Sequence, residues 1–430
     1  MDALGQRARD LARLQGRGRA FALRLRRCQR GLDPLAHFAE LPPGRRRLLQ
    51  RDGDWLLVNG QTAAWHSDGP DRFASAARQV HALQQRVVIE APSGAPAVPL
   101  CWLEAAFASQ NQTGLWGRFG SGCRLVLPAQ AWWRRGGACW YQEAVSVPVE
   151  QDAHDPQQPA TPLPAWDTLQ LPDYRELVCD ALILLRHGAL RKVVLARAED
   201  RQHQSNTTTV LQRVAETDAP GWLYAVDLDT EHTFLGRSPE LLLASQGHQW
   251  QSMALAGSRP RSANITSDAA LASELLSSTK ERKEHQLVVE HLVQALAPGA
   301  NSLSVADRPN LRRMPLLQHL ETRLQADKPG AEVYQALQGL HPTPAVAGLP
   351  SALAQAWLAR HEGLIRGLYT GVVGWRTPQA SVHIVPLRGA LLSPDRARLF
   401  AGAGLVETSE PDAEFAETEL KLEPMRRVLG

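Results

Sequence analysis

Between residues 368 and 406 three strand-like segments, LYTGVVGW, SVHIVPLRGALL and ARLFAGAGLV, follow one another with no helix between them. That order constrains the fold more than any other feature of the chain. Consecutive strands without helical crossovers build antiparallel sheet, whereas a parallel sheet needs a long connection after every strand. The preceding segments extend the pattern. RELVCDALILLRHGAL (175–190) has helical apolar spacing and RKVVLAR (191–197) reads as a strand. HTFLGRSPELLLAS (232–245) reads as two short strands around a turn, and QWQSMALAGSRPR (249–261) as a strand running into a glycine turn. SELLSSTKERKEHQLVVEHLVQAL (273–296) reads as one long helix, and PLLQHLETRLQA (315–326) alternates like a half-buried strand. EPDAEFAETELKLEP (410–424) closes the chain as a helix. Strands in runs with helices between them give an α+β fold class built on antiparallel sheet.

Residues 1–150 read as a mixed α/β region that packs on this core, with candidate strands DWLLVNG (54–60) and CRLVLP (123–128). Many of the twelve tryptophans lie here, among them Trp102, Trp116, Trp132, Trp133 and Trp140, and such rings usually fill cores. Residues 151–165, QDAHDPQQPATPLPA, read as a linker or long surface loop, so 166–430 is the region expected to carry the chemistry. The first thirty residues hold nine arginines, together with Asp2 and Asp10 but no serine. They read as a solvated amphipathic start rather than a transit segment. With 47 basic against 44 acidic residues, the charge balance gives no reason to expect nucleic acid or an anionic membrane as partner. No apolar run is long enough to span a bilayer. The five cysteines, Cys28, Cys101, Cys123, Cys139 and Cys179, are scattered without zinc spacing and are expected to be reduced thiols of a cytoplasmic protein.

Two helices carry the same acidic spacing. Glu281 and Glu284 share one face in KERKEH, and Glu414 and Glu417 share one face of the last helix, with Lys421 one turn further on. Such pairs are either solvated faces or oxygen ligands for Mg²⁺, an ion that takes one or two carboxylates, waters and an anionic substrate group. MALAGSRPR, LHPTPAVAGLP and LFAGAGLV present glycine turns that either simply reverse the chain or cradle an anion with backbone N–H groups. Arg388, in HIVPLRGA, lies within a strand pattern and either pairs with a neighbour or clamps a carboxylate. Lys192 opens an apolar strand; it either snorkels to solvent or serves as a general base. Glu240, set against LLL, is a candidate general acid, because desolvation raises a carboxyl pKa.

Taken in order, KVVLAR, FLGRSPELLL, ALAGSRPR, LLSSTKERKEHQLVV, LHPTPAVAGLP, YTGVVGW, LFAGAGLV and FAETELK resemble the chorismate-utilising enzymes, the family of isochorismate, salicylate, anthranilate and aminodeoxychorismate synthases. The resemblance covers roughly 170 to 425. It implies two intertwined halves around a large antiparallel β-sandwich with outer helices, and a cleft for chorismate and Mg²⁺. Position by position it implies Glu284 and Glu417 as direct Mg²⁺ ligands, with Glu281 and Glu414 holding metal-bound waters. Lys421, Gly402, Gly404, Tyr369 and Arg388 match groups around the substrate carboxylates. Gly257 and Ser258 match the turn beside the ring carboxylate, where threonine is more usual, and His319 matches a histidine near the ring.

Within the family, Lys192 matches the lysine of enzymes that use water as nucleophile. Ala256 stands where aminodeoxychorismate synthases carry a covalent lysine. HPTPAVAG resembles the isochorismate-synthase form of its loop, with Ala347 where glycine is common. The resemblance therefore implies a Mg²⁺-dependent isochorismate synthase, an isomerase in which Lys192 is the general base and Glu240 the general acid. Its length and N-terminal region lean toward menaquinone biosynthesis over siderophore biosynthesis. It implies chorismate as the partner molecule, no glutaminase, and a monomer or weak oligomer. A salicylate synthase, an aminating synthase and a non-catalytic chorismate-binding protein are the competing readings.

Overall fold

The computed structural model describes residues 3–16, 19–28, 31–109, 114–119, 122–148, 166 and 170–430. The expected linker at 151–165 lies outside the described residues. Two large sheets organise the molecule. The twelve-stranded sheet begins with Gly348–Leu349, Lys192–Gln202, Arg396–Leu405, Gly389–Leu392, Thr233–Ser238 and Trp222–Asp227. It continues without interruption into Arg46–Arg51, Asp54–Asn59, Gln130–Arg135, Ala138–Pro148, Arg19–Arg27 and Val87–Glu90. The ten-stranded sheet has the same construction: Leu317–Asp327, Gln249–Pro260, Leu241–Gln246, Ala380–Ile384 and Val372–Arg376 lead into Cys101–Ala105, Cys123–Leu127 and Ala63–Ser67.

Among the described strands, pairing is antiparallel except between Arg19–Arg27 and Val87–Glu90. The α+β class and the antiparallel sandwich are as expected. The region 1–150 supplies strands to both sheets and shares one hydrophobic core with the rest of the chain.

Four local expectations need correction. The segment 273–296 is two helices, Ile265–Ser277 and Thr279–Leu296, broken at Ser278. Ser278 caps the second one, its Oγ accepting the Glu281 N–H at 3.3 Å. That is the Ser-x-x-Glu cap written in SSTKE, worth about 1 kcal/mol. The glycine of MALAGSRPR makes no turn. Gln249–Pro260 runs through it as one strand with a bulge between Ala256 and Ser258, where Gly257 has φ +75°. LFAGAGLV likewise stays extended, and Gly402 and Gly404 face Ala196 and Val194 across the ladder. Finally, SVHIVPLRGALL is two strands in different sheets, and Arg388 lies in the crossover between them rather than in a strand.

Candidate active site

The chain passes from one sheet to the other twice at the same place. Glu240 lies between Thr233–Ser238 and Leu241–Gln246, and Arg388 between Ala380–Ile384 and Gly389–Leu392. Ser238 ties the two crossings together: its Oγ accepts the Glu240 N–H at 3.2 Å and donates to Val385 O at 2.5 Å. Arg388 holds a left-handed backbone (φ 50°), a conformation that costs a non-glycine residue about 1–2 kcal/mol and here aims its guanidinium inward.

Against this crossing stand the two acidic helices. Glu281 and Glu284 face inward from Thr279–Leu296, and Glu414 is buried on Pro411–Leu429. Lys280 Nζ donates to Glu414 at 3.1 Å and so bridges the two helices. Each carboxylate of the quartet is matched by one cation: Glu281 with Arg259 at 2.7 Å, Glu284 with Lys192 at 2.9 Å, Glu414 with Lys280, and Glu417 with Lys421 at 2.6 Å. The carboxylates still repel one another. Burial, then the charge of Glu417, pushes Glu414 up to about 7 against the pull of Lys280. Burial and Glu284 raise Glu281. Burial works against the Glu417 anion, but Lys421 and Arg388 outweigh it and hold its pKa below the ordinary carboxylate value.

Lys192 is fully buried at the start of its strand. Gly404 makes room for it: a Cβ there would lie 2.6 Å from Glu284 Oε1 and 3.1 Å from Lys192 Cε. Glu240 is pushed up to about 8 by burial, an effect that Lys192, Arg388 and Lys421 only partly offset. It is therefore a protonated acid at neutral pH, within the field of the lysine.

The remaining polar groups form one chain. Arg388 Nη2 donates to His319 Nε2 at 3.1 Å, which leaves the proton on Nδ1. That Nδ1–H faces Ser258 Oγ at 3.0 Å and Gly257 O at 3.3 Å. Burial, reinforced by Arg388 and Lys421, lowers the His319 pKa to about 3, so the ring is neutral. Glu281 Oε2 accepts the Ser258 N–H at 3.1 Å. Tyr369 stacks on Phe400 at 5.2 Å, and Lys421 Nζ donates to Gly402 O at 2.7 Å. Thus the structure gathers Lys192, Glu240, Gly257, Ser258, Glu281, Glu284, His319, Tyr369, Arg388, Gly402, Gly404, Glu414, Glu417 and Lys421 around one crossing.

Sequence reasoning missed the residues that support this group. Glu362 and Arg366 are both buried and paired at 2.5 Å. Glu362 accepts the Ala196 N–H at 2.7 Å, while Arg366 donates to Val194 O at 2.7 Å and Val346 O at 2.8 Å. The pair thereby fastens the Lys192 strand to the loop 341–348. In HEGLIRG it is indistinguishable from a solvated i,i+4 ion pair. Arg72, from the N-terminal region, reaches the same loop at His341 Nδ1, 3.2 Å away. Arg366→Met should leave Glu362 as an uncompensated buried charge and cost about 3–5 kcal/mol. Urea denaturation of the variant measures this as a lower midpoint at unchanged slope.

Glu419, which with Glu410 reads in the sequence as an ordinary surface charge of the last helix, departs from that expectation. It is no ordinary surface charge: Arg197 and Arg426 both pair with it, and their hydrogen bonds hold its pKa down at about 2. Glu410, by contrast, is exposed.

Among the described residues, no three His, Cys, Asp or Glu side chains converge on one point. The quartet nevertheless suits a hard divalent cation. It offers only oxygen donors, its members repel one another, and lysine and arginine side chains supply the opposing charge.

A profile of the family described as chorismate binding enzyme matches residues 10–430. The salicylate biosynthesis isochorismate synthase of Pseudomonas aeruginosa is 41% identical over 256 residues, which are 59% of this chain and 54% of that protein. The chain thus spans about half the length of that relative. Isochorismate synthase DhbC of Bacillus subtilis is 33% identical over 324 residues, 71% of this chain and 77% of that protein. Among solved structures, the menaquinone-specific isochorismate synthase MenF of Escherichia coli overlays with a TM-score of 0.77 at 26% identity, covering 100% of both chains.

Proposed function

The chain belongs to the chorismate-binding enzyme family, and we propose that it is an isochorismate synthase, an isomerase that converts chorismate to isochorismate. The observation that carries the reading is the pairing of a fully buried lysine with a buried, protonated carboxylic acid at one sheet crossing. Lys192 takes a proton from a water that attacks C2 of the ring. The double bonds shift, and the C4 hydroxyl leaves as water with the proton of Glu240. One water enters and one leaves, so a proton passed from Lys192 back to Glu240 resets the site. Arg388, Tyr369 and Lys421 hold substrate carboxylates, and at the Gly257–Ser258 bulge the Ser258 hydroxyl, whose oxygen accepts from His319, donates its own proton to the ring carboxylate. Neutral His319 orients Arg388 and adds no charge of its own.

Glu284 and Glu417 would hold Mg²⁺ directly and Glu281 and Glu414 through water. Bound there, the ion supplies Lewis-acid and template chemistry at the ring carboxylate. We assign the enzyme to the cytoplasm, acting without a glutaminase subunit. We take menaquinone synthesis as the destination, on the full-length overlay with a menaquinone-specific enzyme.

Incubation with chorismate and Mg²⁺, with and without chelator, tests the assignment. Isochorismate as the product, lost on chelation, is expected. Accumulated salicylate and pyruvate would establish the salicylate synthase instead, and ammonia-dependent turnover an aminating enzyme. Glu240 also sets a pH limit. An acid with a pKa of about 8 loses its proton as pH rises through that value, so kcat/KM should fall on the alkaline side with a limb near 8. Glu240→Gln should remove most activity and, in the residue that remains, abolish this limb.

A further inference from the structure

We propose that Cys28 and Cys139 form a two-thiol modification site that closes reversibly to an intramolecular disulfide by exchange with a small-molecule disulfide. Cys28 directly follows the strand Arg19–Arg27, whose register with Ala138–Pro148 ends at Arg27 opposite Trp140. The pairing runs one residue further, with Cys28 N–H donating to Cys139 O at 3.0 Å. Directly opposed residues in such a hydrogen-bonded position have Cα atoms about 5.5 Å apart, within the span a disulfide bridges. As directly opposed residues of an antiparallel pair, their side chains lie on the same face of the sheet. Both are only partly buried and so accessible to a small oxidant. The other cysteines are differently placed: Cys101 and Cys123 are buried, and Cys179 is exposed on a helix.

The exchange balances without a further reactant. The thiolate of one cysteine attacks a sulfur of oxidised glutathione, forming a mixed disulfide and releasing one glutathione thiol. The second cysteine attacks the protein sulfur of that mixed disulfide and releases the second glutathione thiol. Two protein thiols are oxidised, one small disulfide is reduced, and the two thiol protons pass to the released glutathione. Burial and the neighbouring cysteine raise the Cys28 pKa, so Cys28 is a thiol at neutral pH and its attack is slow. In the twelve-stranded sheet, Ala138–Pro148 stands eight positions from the Lys192 strand. At ~4.8 Å per strand that is roughly 40 Å, so the bond staples the N-terminal end of the sheet without reaching the active site.

The test equilibrates the full chain with glutathione buffers of increasing oxidised fraction at mildly alkaline pH, then acid-quenches, alkylates and maps peptides by mass spectrometry. A Cys28–Cys139 cross-link that appears and vanishes with the buffer ratio is expected, with no glutathione retained on either residue. In Cys139→Ser, Cys28 should instead keep its glutathione. Stable mixed disulfides on both residues of the unaltered chain would overturn the proposal. So would two thiols that stay alkylatable at the most oxidising ratio while Cys179 is glutathionylated.

Discussion

Replacing Lys192 with alanine should lower kcat for chorismate conversion by roughly 10²–10⁴-fold, the share a positioned general base contributes. Chorismate binding should change far less, because the groups assigned to its carboxylates, Arg388, Tyr369 and Lys421, come from other segments. The substitution also removes the cation 2.9 Å from Glu284, so a second variant is needed. Lys192→Arg keeps a cation to pair with Glu284, but its guanidinium stays protonated at any working pH and cannot serve as a base. If Lys192 serves catalysis, both variants lose turnover alike, and calorimetric titration with chorismate still shows binding. If it serves only as counter-ion to Glu284, the arginine variant retains turnover, and the assignment of the base fails.

The second large effect separates two glutamates of one helix. Glu417→Gln should reduce kcat/KM by roughly 10³-fold, the several kcal/mol that a Lewis-acid site contributes to a developing charge. It should also weaken the Mg²⁺ dependence of turnover. Glu419→Gln should leave both unchanged. Among the described residues Glu419 pairs with Arg197 and Arg426 rather than with any group of the quartet. Its side chain is 37% exposed, so its loss should cost at most about 1 kcal/mol of stability. Steady-state kinetics across a Mg²⁺ titration distinguishes the two; equal losses would show that the acidic run acts through charge alone.

Much of this site was legible because its chemistry is written in spacing. Glu281 with Glu284 and Glu414 with Glu417 each keep one helical face, whatever the rest of the chain does. Lys192 and Glu240 stand at the ends of apolar strands, where burial follows from their neighbours. The antiparallel class followed from strands succeeding one another without helices. Features decided by long-range contact were hidden. Nothing near Gly257 tells a bulge from a turn, because the strand continues only where Leu317–Asp327 pairs on both sides of it. Arg388 lies in an apparently continuous strand pattern, and the change of sheet depends on which partner strands lie on each side. The same holds for Glu419, whose partner Arg197 is far away in sequence, and for Glu362 and Arg366. The break at Ser278 is different: the Ser-x-x-Glu signal was present, but the helical spacing on both sides masked it.

The central claim is that water, activated by Lys192, is the nucleophile at C2. Turnover of chorismate in water enriched in the heavy oxygen isotope tests it most directly. Mass spectrometry should find the label in the C2 hydroxyl of isochorismate, with none introduced into the enolpyruvyl group or the carboxylates. An unlabelled C2 hydroxyl, or a product bearing nitrogen at that carbon, would contradict the account.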